Sequence, residues 1–456
     1  TRNVAVFGVL NVHGHGNKQM QPLKDNTFCW HPFRQLALKE WTDTGIANAT
    51  PCCNMIRPET PDPMGLTTKL RTTTPTAKEI FHGEEMAGLR SAMLAGERHS
   101  ACDVCWRMED RGAGSYRLTE IKEHNPQLLA DPQLQVIDFS FGENCNLRCR
   151  ICMPGLSNKL RLDYRYFLKN DIDTTGMQDY DYRNDHPVTQ ALNSDPGAEY
   201  AVNNFNRDSH QWQDILDNIH ELVHIKATGG ETTLSKGFLE FIDTAIGRDC
   251  AKNIVLEFHS NCTKFTNKLM DKLNQFRELC INASIDSIYK NYDYMRYPMT
   301  WDKLELSLHN YLNKNTTPGN FAFNPVVTAL NAHSIPALYQ YQIQLAVQYK
   351  RPDVYWSLWV DLLWPEDKSI NIKFLPRHIK QELIQLYSAM LEDQTTGVSC
   401  NIDNTIAFLT ENLELEITEQ HRINMLREIT AFDKSRDQCY NDYLHPSIIE
   451  FLENPL

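Results

Sequence analysis

Apolar positions along the 456-residue chain follow two patterns. Between positions 134 and 375, short apolar runs alternate with stretches in which apolar residues recur at every third and fourth position. The runs at 134–141, 222–228, 253–260, 279–285, 321–330 and 369–375 read as strands. Phe238, Phe241, Ile242, Ala245 and Ile246 trace the core-facing stripe of a helix, and Leu269, Leu273 and Phe276 trace the next. Such alternation predicts a parallel sheet joined by crossover helices, open or closed into a barrel. Residues 1–120 read as loop-rich. Pro, Thr and Gly cluster over 51–76, and helical periodicity is confined to 77–94. Residues 161–210, rich in Asp, Asn, Tyr and Arg, read as an insertion that either covers a substrate mouth or makes a solvated excursion. Residues 376–456 read as helices, with apolar positions such as Leu383, Leu386, Leu413, Ile417, Ile423 and Leu426. The expected domains are thus 1–125, 126–375 with the insertion 161–210, and 376–456.

Composition changes this picture little. Hydrophobic residues make up 41% and charged residues 23%, as in a soluble globular protein. The net charge of −13 disfavours non-specific binding to nucleic acid or anionic membranes. No run approaches 18 apolar residues, so no membrane span is expected. Residues 1–15 lack a basic stretch followed by an apolar one, so a cytoplasmic setting is expected. The first residue is not Met, consistent with a removed upstream segment.

The thirteen cysteines change it more. Their odd number and their clustering point to metal ligands rather than a disulfide framework. Directly after the first predicted strand stands Cys145-Asn-Leu-Arg-Cys149-Arg-Ile-Cys152. Three thiolates at this spacing can hold three irons of a cuboidal iron–sulfur cluster, leaving one open for chemistry. Arg148 and Arg150 are placed to offset the cluster's negative charge. The same cysteines also suit a zinc site, or stand as unrelated thiols.

A CxxxCxxC motif after a first strand resembles the signature of the radical S-adenosylmethionine (SAM) superfamily. Gly229-Gly230-Glu231, after the second strand, resembles that superfamily's GGE motif, which binds the SAM amino group. The glycines let backbone approach the ligand, and Glu231 accepts from its ammonium. "LEFHSNCTKF" resembles the next strand-end segment and places Ser260 and Asn261 near the ribose or carboxylate. It departs from the pattern where Cys262 replaces a common Gly. "INASIDSIYKNYDYMRYP" resembles a further strand end. It assigns Ser284 and Arg296 to the SAM carboxylate and Asp286 to substrate or ribose. Residues 326–331 are assigned to the adenine. The fold implied is an α/β partial barrel of about six strands and helices, with its motifs at the carboxyl ends of the strands.

A second cysteine group comprises Cys29, Cys52, Cys53, Cys102 and Cys105. A lone Cys, a hairpin into Pro-Cys-Cys, a helix with Leu-Arg, and a CxxC resemble the SPASM/twitch modules that carry auxiliary [4Fe–4S] clusters. Those modules usually follow the barrel, whereas this group precedes it. Four of the five would close a cluster, with Cys52 and Cys53 competing for one place, and a structural zinc is the alternative. Cys250, Cys262, Cys280, Cys400 and Cys439 read as buried free thiols. His13 and His15 read as a turn or strand edge, and the aromatic run at 354–365 as core and lid packing.

The resemblance implies a [4Fe–4S] cluster on Cys145, Cys149 and Cys152 that reductively cleaves SAM, with a flavodoxin- or ferredoxin-type reductant. The resulting 5′-deoxyadenosyl radical abstracts hydrogen from a peptide or protein side chain. Oxidation or cyclisation of a small molecule, such as a nucleotide or aminoglycoside, is the second enzymatic reading. A non-catalytic iron–sulfur or zinc protein is the third.

Overall fold

The computed structural model describes residues 27–42, 45–55, 73–110, 115–118, 131–154, 156–174, 177, 205–363, 368–392 and 397–455. His13, His15 and most of the expected insertion lie outside these residues. The chain falls into two compact units, residues 1–140 with 205–226, and residues 141–204 with 227–456.

In the first unit, β1 (Gln35–Thr42) pairs antiparallel with β2 (Gly45–Thr50) and parallel with β3 (Val136–Ser140). The reading of residues 1–120 as loop-rich is corrected by β1 and β2. The run Leu36, Ala37, Leu38 is fully buried, but three residues are too few for a periodic signal. The helix expected over 77–94 is two helices, Ala77–His82 and Glu84–Leu94, parted at Gly83. The first opens on a capping box between Thr76 and Glu79, which satisfies two backbone donors reciprocally. Phe28, Trp30, Phe33, Leu89 and Met93 form a core that also holds Cys29 and Cys52. The helix His210–Asp217, capped by Ser209, buries Trp212 against Phe139 and Phe205.

β4 (His224–Thr228) spans the boundary between the units. In the second unit β5 (Val255–Ser260), β6 (Glu278–Ala283), β7 (Gly319–Phe323), β9 (Val354–Trp359) and β11 (Val398–Asn401) pair in that order, each parallel to the next. β8 (Val326–Val327) and β10 (Asp361–Leu362) form a separate short parallel pair. Helices Lys236–Gly247, Asn267–Leu273, Trp301–Lys314, Ile335–Tyr349 and Arg377–Glu392 intervene. This is the parallel α/β arrangement that the alternation predicts.

Three sequence expectations are corrected here. The run at 321–330 breaks after Phe323, because Pro325 has no N–H to donate to a ladder. The strand expected at 369–375 is a 3-10 turn, Ile372–Phe374, whose first turn is capped by the Asn371 side chain. The aromatic run supplies β9 instead, with Trp356 and Leu358 buried and Tyr355 and Trp359 exposed. The C-terminal stretch holds helices Arg377–Glu392, Asp403–Glu411, Glu419–Arg436 and Pro446–Glu453, but β11 lies among them. From the insertion, the helix Arg161–Lys169 packs Phe167 against Phe432 of Glu419–Arg436, with ring centroids 5.2 Å apart. Among the described residues no helix is long and apolar enough to cross a membrane.

Phe238 is fully buried between Phe141 and Phe258. Phe238→Ala is expected to destabilise the fold by about 3–5 kcal/mol, the range for losing a buried aromatic. A urea-unfolding midpoint unchanged from the parent would contradict this packing.

Candidate active site

β3 ends at Ser140, and the cysteine segment follows at once. Its first residues lie along the Gly-Gly-Glu segment that follows β4. Phe141 N donates to Thr228 O at 2.9 Å, Gly230 N to Gly142 O at 2.7 Å, and Glu231 N to Asn144 O at 2.8 Å. No side chain fits in this contact. A Cβ on Gly229, whose φ is +143°, would stand 2.8 Å from Gly142 O, and one on Gly230 would stand 2.5 Å from Asn144 O. The two glycines therefore admit the chain's own cysteine loop, a role that the sequence expectation of ligand approach does not include.

The loop is then fixed along its length. Cys145 N donates to Asn158 Oδ1 at 3.1 Å and Ser157 Oγ to Leu147 O at 2.8 Å. Arg148 N donates to Tyr297 O at 2.7 Å and Arg150 N to Met295 O at 2.9 Å, on either side of Arg296. Cys145 and Cys149 are buried with Leu147, and Cys152, Ile151 and Met299 pack against them. Burial pushes all three thiols up, Cys152 to about 12. Cys149 next feels the opposing Arg296 guanidinium and then the Cys152 and Cys145 thiols. Cys152 feels Cys145, and then Lys368 and Arg296 as stabilising cations.

The cations that face the thiols are thus Arg296 and Lys368. Arg148 and Arg150, expected to offset cluster charge, turn elsewhere. Arg148 pairs with buried Asp163 at 3.1 Å, and Arg436 reaches the same carboxylate at 3.0 Å. Arg150 pairs with Asp433, donates through Nε to Tyr294 O at 3.0 Å, and lies 3.5 Å over the Tyr294 ring. Arg150 anchors the cysteine loop to the helix Glu419–Arg436 directly, and Arg148 through Asp163 of the helix Arg161–Lys169, which it shares with Arg436. Lys368, in the segment "PEDKSI", carries no motif that marks it.

Glu231 is 1% exposed. Its Oε1 accepts from Thr233 N (3.1 Å), Thr233 Oγ1 (2.6 Å) and Ser260 Oγ (2.8 Å), and its Oε2 from Asn261 N (2.7 Å). Burial raises its pKa, and these donors oppose the rise. The carboxylate therefore braces the ends of β4 and β5. Asn261 Nδ2 reaches back to Asn146 Oδ1 inside the cysteine motif at 2.9 Å, and Asn146 Nδ2 to Thr263 Oγ1 at 2.8 Å. Asn146 and Thr263 were missed; a polar residue between two motif cysteines is the signal that marks the first. Cys262 is fully buried with φ +60°, which explains why glycine suits that place. Ser284 N donates to Ser260 O at 2.8 Å. Arg296 Nε donates to Asp286 Oδ2 at 2.7 Å, and Asp286 Oδ1 accepts from Val326 N at 3.0 Å. Burial opposes the Arg296 charge, but Asp286 and Cys149 raise its pKa above the usual value. Asn331 Nδ2 donates to Asp286 O (2.7 Å) and Val326 O (3.0 Å), so the 326–331 segment is tied to Asp286.

In the first unit Cys29, Cys52, Cys102 and Cys105 line one hollow with Tyr116 and Arg117. Cys53 does not line it and is exposed. Burial pushes Cys52 well up, and the thiols of Cys53, Cys29, Cys102 and Cys105 add to the effect. Burial pushes Cys102 up to about 12, with Arg117 opposing. Arg117 is 2% exposed and pairs with Glu109. Of the isolated cysteines, Cys250, Cys262 and Cys280 are buried as expected, but Cys400 is half-buried and Cys439 exposed.

No protein-family model and no curated protein matches the chain. Among solved structures it is similar to Streptococcus suis SuiB bound to precursor peptide SuiA, at 12% identity and TM-score 0.34, over 76% of this chain and 71% of that one. It is similar to native anSMEcpe with bound AdoMet, at 16% identity and TM-score 0.37, over 58% and 64%. The same protein with AdoMet and Cp18Cys peptide aligns at 15% identity and TM-score 0.33, over 59% and 63%. At these values any assignment rests on the chain's own residues.

Gly230→Ala is expected to displace the cysteine loop and lower the melting temperature of the chain, since its Cβ would stand 2.5 Å from Asn144 O. An unchanged melting temperature would show that the 142–144 contact is dispensable. Metal-free chain is expected to lose stability with rising pH. Cys102 and Cys152 titrate near 12 when folded and near 8.5 when unfolded. Their contribution is therefore full below about pH 8.5 and falls above it. Melting temperatures between about pH 8.5 and 10 should fall less steeply in a Cys102→Ser, Cys152→Ser chain than in the parent; parallel slopes would refute the assignment.

Proposed function

We propose that the chain is a radical SAM enzyme acting on a peptide or protein side chain, with Cys145, Cys149 and Cys152 as the ligands of a [4Fe–4S] cluster. The observation that carries this reading is the gathering of these three thiols in one small apolar group, Cys145 and Cys149 buried and Cys152 packed against them, with Arg296 and Lys368 as the cations acting on them. The donor set fits the cluster. Three thiols leave one iron for an exchangeable ligand, and two cations offset the charge that burial penalises. When bound, the cluster supplies the electron that splits a C–S bond of SAM, giving methionine and the radical that takes hydrogen from substrate.

The chain's own groups bind and orient. Asp286 engages Nε of Arg296, which leaves the two Nη groups to clamp the methionine carboxylate bidentately. Glu231 Oε2 accepts one bond from Asn261, and its remaining lone pair would accept from the amino group of SAM. Gly229 and Gly230 keep that carboxylate beside the cysteine loop. Ser260, Asn261 and Ser284 close the strand ends around it, which limits water access to a reactive intermediate. Cys29, Cys52, Cys102 and Cys105 are the proposed ligands of a second [4Fe–4S] cluster, since Cys53 stands outside their hollow. Among the described residues, no three of these thiols lie within 4.8 Å of one another. A structural zinc on the same four thiols is the alternative reading.

The test is iron and sulfide content with SAM turnover, measured anaerobically on the full chain. About eight irons and eight sulfides per chain are expected. Cys149→Ala should abolish 5′-deoxyadenosine formation under a strong reductant, and surviving cleavage would sink the catalytic assignment. Cys102→Ala with Cys105→Ala should keep SAM binding but lose about four irons. About four irons in the parent, with zinc present, would make the first-unit cysteines a structural staple instead.

A further inference from the structure

Three side chains of the second unit, distant in sequence from one another and from every motif cysteine, meet at one place. His333 lies in the 3-10 turn Ala332–Ser334, Glu382 in the helix Arg377–Glu392, and His445 is the N-cap of the helix Pro446–Glu453. One ligand atom from each lies within 4.8 Å of the others. We infer that His333, Glu382 and His445 form a binding site for a divalent cation of the zinc class, held by two imidazoles and one carboxylate.

The distances suit an ion better than a direct contact. His333 Nε2 and Glu382 Oε2 stand 3.4 Å apart, long for a hydrogen bond. Two ligands each about 2.1 Å from a tetrahedral zinc stand about 3.4 Å apart. Ser447 Oγ is 3.5 Å from the same nitrogen, so the fourth corner falls to this hydroxyl or to water. The two imidazole rings are stacked, parallel within 7° with centroids 3.8 Å apart, so one ring turns out of the stack when both bind the same ion. His445 Nδ1 lies 2.8 Å from Ser447 Oγ. Nδ1 also accepts from Ser447 N at 3.4 Å, the contact by which His445 caps its helix.

The environment keeps the donors ready. The His333 side chain is 7% exposed. Burial and then the neighbouring His445 lower its pKa, while Glu382 opposes the shift. Two nitrogens with one oxygen make a borderline donor set that suits zinc over calcium or magnesium. Bound there, the ion joins the turn after β8 to two C-terminal helices. Asn331, two residues before His333, carries the hydrogen bonds to Asp286 and Val326, so the ion also steadies the segment that positions Arg296. The inference stands independently of the radical SAM reading.

Zinc also binds thiols, so the experiment separates the two kinds of site. Parent, His445→Asn and Glu382→Gln chains, each with iron–sulfur content assembled and measured, are equilibrated with micromolar Zn²⁺ alone, desalted and analysed for zinc. Asn caps a helix as well as His does, so His445→Asn keeps the fold; matching melting temperatures without zinc check this. The parent is expected to retain about one zinc more than either variant at equal iron. X-ray absorption of that zinc should show nitrogen and oxygen at about 2.0–2.1 Å rather than sulfur at about 2.3 Å. Equal zinc in all three chains, a sulfur shell, or retention only at millimolar zinc overturns the site.

Discussion

The site depends on one backbone contact, between residues 142–144 ahead of the first motif cysteine and residues 229–231 after β4. It has no room for a Cβ at Gly230. From it follows the position of Glu231, whose carboxylate gathers Ser260 and Asn261 at the end of β5. Asn261 then returns to Asn146 within the cysteine loop. The loop, the Gly-Gly-Glu segment and the β5 end thus form a closed circuit of hydrogen bonds. Each member is positioned by two others, which is what holds the three thiols in place.

Burial sets the electrostatics around this circuit. Desolvation raises every thiol in the triplet, so the neutral form is favoured until a positive partner offsets the cost. Arg296 and Lys368 supply part of that offset. The pairs Arg150–Asp433 and Arg148–Asp163–Arg436 do something else. Buried ion pairs contribute little net stability, since desolvation cancels most of their attraction, but breaking one strands a charge and costs about 3–5 kcal/mol. They therefore fix where the cysteine loop sits against the helix Glu419–Arg436 more than they strengthen the fold.

Ligand spacing separates the chain's donor groups. Among the described residues, His333, Glu382 and His445 bring one ligand atom each within 4.8 Å of the others, and no three of the cysteines do. Sequence proximity gives the opposite impression, since the cysteines share short motifs while the histidines lie 112 positions apart in number. A donor set assembled from a turn and two helices has no local pattern, so nothing in the order of residues marks it.

The sequence by itself determined the parallel α/β pattern of β5 to β7, because their apolar runs are bounded by amphipathic helices with clear periods. It also determined the Cys145, Cys149, Cys152 triplet, because that spacing is local, whereas the grouping of Cys29 and Cys52 with Cys102 and Cys105 came from a family resemblance. It did not disclose β1, β2 or β11, whose buried stretches are too short for a period to show, nor that 369–375 turns rather than extends. Only the tertiary structure decided that Cys52 rather than Cys53 lines the hollow, since adjacent residues point to opposite sides. It alone turned Arg148 and Arg150 away from the thiols and brought Arg296 and Lys368 towards them. A charge acts on whatever lies within a few ångströms, and for buried groups that neighbourhood is chosen by packing between segments distant along the chain.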